Sequence, residues 1–180
     1  MRQNSECLYI NNRLDRARAG DRVNRFRLDR IDLKILGELQ NEGRITNVEL
    51  ASRVGISPPP CLRRVRALEE AGFIKGYHAS LDGPALGYAV TVFAQVKLSS
   101  QAEPDLAKFE SLVKGWAMVR ECYMLAGETD FLLRVVARDW DDYQRFLTRE
   151  LTAAPNVSSV KSALCVRMAK DLSGVPLSER

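Results

Sequence analysis

The chain has 180 residues, 46% of them hydrophobic and 28% charged, which is enough for one large core or two small ones. No apolar run approaches the length of a membrane span, and the basic N-terminus lacks the apolar stretch of a signal peptide. A cytoplasmic protein with no membrane contact is therefore expected. The net charge of +4 is uneven: residues 1–27 carry +4, residues 28–80 carry +1 and residues 81–180 carry −1. Cys7, Cys61, Cys122 and Cys165 stand singly, without metal-ligand or redox spacing, so no metal site and reduced thiols are expected. The last three fall in apolar patterns that suit small core residues.

Residues 1–27 hold seven arginines and little apolar periodicity. They read as a basic extension, either a mobile arm along phosphates or a plain disordered or non-native start. From Asp29, the residues Ile31, Leu33, Ile35, Leu36 and Leu39 form an amphipathic helix ending near Asn41-Glu42-Gly43. A second helix follows from Thr46, with Val48, Leu50, Ala51 and Val54 turned inward. Gly55 supplies a sharp turn, and Ile56 plugs the angle between helices. Ser57 is a natural N-cap for a third helix, Pro59–Ala71, in which Leu62, Val65 and Leu68 point to the core. Arg63 and Arg66 lie opposite, with Arg64 on the flank. A helix buried on one side and rich in guanidinium groups on the other suits a DNA major groove, although Glu69 and Glu70 also allow a merely solvated face. Gly72 then ends the helix, and Phe73 to Leu81 reads as a short β-hairpin, or wing, with Lys75 and His78 toward phosphate. Residues 28–80 thus form a winged helix-turn-helix, and residues 81–87, with the turn Asp82-Gly83-Pro84, form a linker.

The second half has another period. Tyr88 to Leu98 alternates, with Val90, Val92, Ala94, Val96 and Leu98 on one face and Thr91, Phe93, Gln95 and Lys97 on the other. Pro104 opens a helix with a stripe of Leu106, Phe109, Leu112 and Val113. Strands are expected at Met118 to Ala126 and Phe131 to Ala137, joined by a turn at Gly127-Glu128-Thr129. Asp139 caps a helix bearing Trp140, Tyr143, Phe146, Leu147 and Leu151, and Val157 to Met168 is a long fourth strand. The order βαββαβ over residues 88–170 is a ferredoxin-like unit, followed by a tail, 171–180, so the whole chain reads as α+β. The sheet face bearing Phe93 and Gln95 is too apolar to stay wet, which points to a homodimer.

Several motifs resemble the leucine-responsive regulatory protein/AsnC family. They are Leu28-Asp29-Arg30-Ile31-Asp32, Gly43-Arg44-Ile45, Asn47-Val48-Glu49-Leu50, Ser57-Pro58-Pro59-Pro60-Cys61-Leu62-Arg63-Arg64-Val65 and Gly72-Phe73-Ile74-Lys75-Gly76-Tyr77. The resemblance runs from Leu28 to about Lys170 and is closer to the leucine-responsive branch. It implies a transcriptional regulator of amino-acid metabolism that binds double-stranded DNA as dimers assembling further, often to octamers. Together with the helix-turn-helix pattern above, the expected DNA-contact set is Asn47, Ser57, Pro59, Arg63, Arg64, Arg66 and Lys75. The resemblance also implies no cofactor, but a small effector, commonly an amino acid, held between dimers. The matching positions are Leu125, Ala126, Gly127, Thr129 and Asp130, with Trp140 opening the next helix. Asp130 would help hold the effector's ammonium group, and backbone amides near Gly127 its carboxylate. Pro59 stands where the family usually has threonine, and Gly-Glu-Thr-Asp where Gly-Asp-aromatic-Asp is common. Without the family, the loop is simply a polar hairpin turn.

Rival classes are an enzyme and an architectural DNA-compacting protein without effector response. One histidine, no glycine-rich phosphate loop and no nucleophile beside a base argue against catalysis. Asp141 and Asp142 are explained as helix-start carboxylates. The architectural reading differs only in its indifference to amino acids.

Overall fold

The structure, a computed structural model, describes residues 27–172 and 174–177. Except for Arg27, the basic extension lies outside the described residues. The chain divides into two compact units, one running to Ala79 and resuming at Leu172, the other Ser80–Asp171.

The first unit holds α1 (Arg30–Asn41), α2 (Asn47–Val54) and α3 (Pro58–Glu70). Asp29 and Asp32 cap each other's backbone amides at the start of α1, Asp32 N–H to Asp29 Oδ1 at 2.8 Å and Asp29 N–H to Asp32 Oδ2 at 3.0 Å. Thr46 Oγ1 accepts the Glu49 amide at the start of α2, and Gly55 closes that helix at φ 79°, a left-handed conformation that glycine adopts without strain. Ile35, Leu50, Ala51, Val54, Cys61 and Leu68 form the buried core, with Phe73 and Ile74 packed against it.

Three expectations need correction here. Val48 is 67% exposed, because it lies about 160° round the helix from Leu50. The inward stripe of α3 is Cys61, Val65 and Leu68, at the i, i+4, i+7 spacing of a helix face, which leaves Leu62 39% exposed at its edge. The expected hairpin is not paired: no strand occurs between Ala71 and Tyr88. Gly76, at φ 154°, breaks the run, and Tyr77 turns back to donate its hydroxyl to Glu69 Oε1 at 2.9 Å. The wing of this unit is therefore an extended strap over α3.

The residues at the C-terminus return to α1. Gln40 pairs with the backbone of Val175 as a strand would, accepting its N–H at 2.9 Å and donating Nε2–H to its carbonyl at 3.0 Å. Gly174 permits this at φ 85°.

The second unit is an antiparallel sheet in the order β2-β3-β1-β4, from β1 (Val90–Leu98), β2 (Val119–Met124), β3 (Phe131–Ala137) and β4 (Val157–Leu164). α4 (Glu103–Gly115) and α5 (Trp140–Phe146), the latter extended by a π turn at Leu147–Leu151, cover one face. Val92, Ala94, Val96, Phe131, Leu133 and Val135 fill that interface with Phe109, Tyr143, Phe146 and Leu151. Phe109 lies tilted against Phe131 at 4.8 Å and meets Trp116 edge-on at 5.9 Å. β4 stops at Leu164, short of the expected Met168, because β1, its sole neighbour, offers partners only as far as the Thr91 carbonyl, which takes the Cys165 amide. Of the cysteines expected in a core, Cys61 is buried, Cys122 is exposed on the edge strand β2, and Cys165 is half-buried.

Candidate nucleic-acid interface and effector loop

α3 begins with three prolines, Pro58, Pro59 and Pro60, which lack amide hydrogens. The helix therefore has no donor at its first three positions, and Ser57, which sits at the N-cap, makes no capping bond because there is nothing for it to cap. A helix start of this kind cannot cradle a phosphate with its backbone. Ser57, Pro59, Arg63 and Arg66 are all exposed, and the last three share one face at i, i+4, i+7. Among the described residues Arg63 and Arg66 make no ion pair or hydrogen bond, leaving two guanidinium groups open to solvent. Lys75 is exposed as well.

Two members of the expected contact set are held otherwise. Asn47 donates Nδ2–H to the Pro58 carbonyl at 2.9 Å, tying the start of α2 to the start of α3, while its Oδ1 is buried without a partner among the described residues. Arg64 points away from the open stripe, its Nη1 2.7 Å from Asp29 Oδ2 and 2.7 Å from Asp32 Oδ1. Those two aspartates were missed as site residues. The signal was present in the Asp-x-x-Asp spacing, which marks a helix start but does not name a distant partner.

In the second unit, the β2–β3 connection closes when the Leu125 amide donates to the Asp130 carbonyl at 2.8 Å. Leu125, Ala126 and Gly127 are exposed, Thr129 is half-buried, and Trp140 is exposed with its ring 5.4 Å from that of Tyr143. Gly127 has an ordinary φ, and a Cβ there would meet nothing within 4 Å, so no contact among the described residues requires a glycine. Asp130 is only 6% exposed. Its Oδ2 accepts the Leu98 amide and its Oδ1 accepts Gln101 Nε2–H, each at 2.7 Å. The carboxylate thus joins the loop to the end of β1, and Gln101 is a further residue of this cluster that the sequence reading passed over.

The sheet face away from the helices carries Phe93, Gln95, Leu132, Val136 and Tyr123, as the strand register requires. It is less uniformly apolar than expected. Arg134 donates to Glu121 Oε1 at 2.8 Å, and Tyr123 donates to Glu121 Oε2 at 2.9 Å. The Arg134 guanidinium holds the Glu121 carboxyl below the usual carboxylate range.

A helix-turn-helix with an arginine-bearing third helix, followed by a ferredoxin-like domain with an open loop, defines a DNA-binding protein joined to a ligand-binding domain. Residues 28–75 match the winged helix-turn-helix DNA-binding family, and residues 91–175 match the Lrp/AsnC ligand-binding domain. The chain is 52% identical to a leucine-responsive regulatory protein of Rhizobium meliloti, over 86% of this chain and 99% of that one. It is 45% identical to the Bkd operon transcriptional regulator of Pseudomonas aeruginosa, over 83% and 98%. Among solved structures, a Neisseria meningitidis transcriptional regulator in complex with L-Met superposes with a TM-score of 0.80 at 36% identity, over 84% of this chain and 97% of that one. The protein belongs to the Lrp/AsnC family of transcriptional regulators. It binds DNA through its first unit and a small effector through its second. No helix among the described residues is long and apolar enough to cross a membrane.

Proposed function

We propose that α3 lies in the major groove and reads bases through Arg63 and Arg66, while Ser57 and Lys75 hold phosphates and Pro59 packs against a base edge or sugar. The observation that carries this reading is the open stripe on α3: two arginines with no ion pair among the described residues, on a helix whose first turn has no backbone donors. An arginine bidentate to guanine supplies about 1–3 kcal/mol of discrimination. Asn47 acts indirectly, by fixing the start of α3. A two-fold dimer places two such helices on half-sites about one DNA turn apart, so the site is a pseudo-palindrome. The domain limits that suit this reading are residues 28–80 for the DNA module, 81–87 for the linker and 88–170 for the sensing domain.

The effector in this reading is an amino acid that seats at the loop Leu125–Asp130 beside Trp140, between dimers of an octamer. Two observations support it. Leu125, Ala126 and Gly127 are exposed, and no contact among the described residues requires a glycine at 127, which suits close approach by a ligand or a second copy. The methionine found with the Neisseria meningitidis regulator makes that amino acid a first candidate, with leucine the second. Asp130 shapes the pocket from behind, its two oxygens holding β1 and Gln101. The protein acts in the cytoplasm, on amino-acid metabolism genes, and catalyses no reaction.

Gel-shift titration on a duplex selected from a random pool, together with light scattering across an amino-acid panel, tests both halves. Arg63→Ala should lower specific affinity by about tenfold. Unchanged binding would take α3 out of the groove. One amino acid should shift the mass, and indifference to all of them would favour the architectural reading.

A further inference from the structure

We infer that Arg64 is a positioning residue, which sets the roll of α3 by clamping the start of α1, and that it makes no contact with DNA. The inference rests on the reading that α3 enters the groove.

Two carboxylates at the start of α1 offer four oxygens, and each has a hydrogen-bond partner among the described residues. Asp29 Oδ1 takes the Asp32 amide, Asp32 Oδ2 takes the Asp29 amide, and the remaining two oxygens take the two hydrogens of Arg64 Nη1. Arg64 Nη1 bridges both carboxylates, and Asp32 is buried, with its side chain 5% exposed. One nitrogen of the recognition helix therefore meets a device already made rigid by reciprocal capping.

The placement matters because the core grips α3 along a narrow stripe, Cys61, Val65 and Leu68. The core alone would let the helix roll about that line. The Asn47 bond to the Pro58 carbonyl and the Tyr77 bond to Glu69 tie its two ends, and Arg64 ties its middle. Arg64 lies about 100° from Arg63 around the helix, off that line, so its clamp resists rolling. An arginine tip stands at least about 6 Å from the helix axis, and a roll of about 10° then moves it about 1 Å. That is enough to break a bidentate hydrogen bond to a base.

Charge gives a clean test, because the two partners carry opposite signs. Arg64→Ala removes a positive charge near DNA, and Asp29→Asn removes a negative one while keeping the oxygen that caps α1. The full-length protein is titrated by fluorescence anisotropy against a selected specific duplex and a scrambled one, across a salt series. If Arg64 positions the helix, both variants lose specific affinity by about tenfold, and neither changes the salt slope or the affinity for scrambled DNA by more than about twofold. If Arg64 instead binds phosphate, Arg64→Ala lowers the slope by about one and Asp29→Asn binds as well as the parent or better. That result overturns the proposal. Should Arg64→Ala fail to fold, Asp29→Asn alone decides the matter. Arg63→Ala, run alongside, separates the two levels: if it too leaves binding untouched, it is the groove assignment of α3 that has failed.

Discussion

Replacing Asp130 by alanine removes the two hydrogen bonds that join the β2–β3 loop to the end of β1. The Leu98 amide is left inside the domain, on a residue 3% exposed, without the carboxylate oxygen that it donates to. A hydrogen bond to a charged group contributes about 1.5–3 kcal/mol, and a buried donor left unpartnered keeps its full desolvation cost. The Gln101 bond is worth less, on the order of 1 kcal/mol, because Gln101 is exposed and water can serve it. The sum is about 3 kcal/mol of domain stability. For a unit of this size each kcal/mol is about 4–8 °C, so the melting transition of the sensing domain should fall by on the order of 15 °C.

Asp130→Asn separates this role from ligand binding. Its remaining oxygen can still accept the Leu98 amide, and the Gln101 amide can turn over to accept from the new nitrogen. The expected loss is about 1 kcal/mol, although the negative charge is gone. Scanning calorimetry of both variants, with effector binding followed by isothermal titration, reads stability and affinity apart. An alanine variant that melts within about 2 °C of the parent yet no longer binds the effector would refute the structural account. Asp130 would then be facing the ligand, as the family resemblance implies.

Burial pushes the Tyr77 hydroxyl up to about 12, and its hydrogen bond to Glu69 adds to the effect. The folded state therefore keeps a proton that the unfolded chain releases near pH 10, and stability should decline as pH rises from about 10 through 12. Tyr77→Phe should flatten that limb in a pH series of denaturant titrations, and an unaltered limb would show that other groups cause it. At Gly174 a Cβ would stand 2.1 Å from Gln40 Oε1, on a backbone at φ 85° that side chains rarely adopt. Gly174→Ala should release the C-terminal residues from α1, raising exchange of the Val175 amide by at least about tenfold. Exchange at the parent rate would mean that the Gln40 pairing does not form in solution.

The parts of the fold legible in the sequence were those with a strict period. β3 was expected and found at Phe131–Ala137, and every inward residue of β1 was identified, because alternation leaves one choice of face. α3 was placed within one residue, but its inner stripe was shifted from Cys61 to Leu62, since a helix with apolar residues at adjacent positions has two plausible faces. Partners were less legible than positions. Arg63, Arg64 and Arg66 look alike in sequence, and only their distances to Asp29 and Asp32 separate the clamp from the open pair. The same holds for Asp130, where the loop motif marks the residue, while the Leu98 amide and Gln101 come from sequence about 30 residues away.

The DNA module is close to neutral, at +1 over residues 28–80, and two of its arginines serve the fold. Arg53 sits among Glu38, Glu42 and Glu49, and Arg64 between Asp29 and Asp32. Even if Arg63, Arg66 and Lys75 all displace counterions from the DNA, each module should show a salt slope no steeper than about −2.7. A slope that shallow means weak binding by a single copy, so affinity has to come from linking modules, each raising the local concentration of the next. Two modules on a pseudo-palindrome should give a slope of about −5, and a larger assembly with DNA along its surface should give a steeper one. The salt slope therefore counts engaged modules without a structure of the complex. If an amino acid changes the assembly, it should change the slope by multiples of the single-module value. A slope near −2.7 for the intact protein, with and without amino acids, would mean that copies bind one at a time. The arginines of residues 1–27, at +4, would then become the first place to look for the missing affinity.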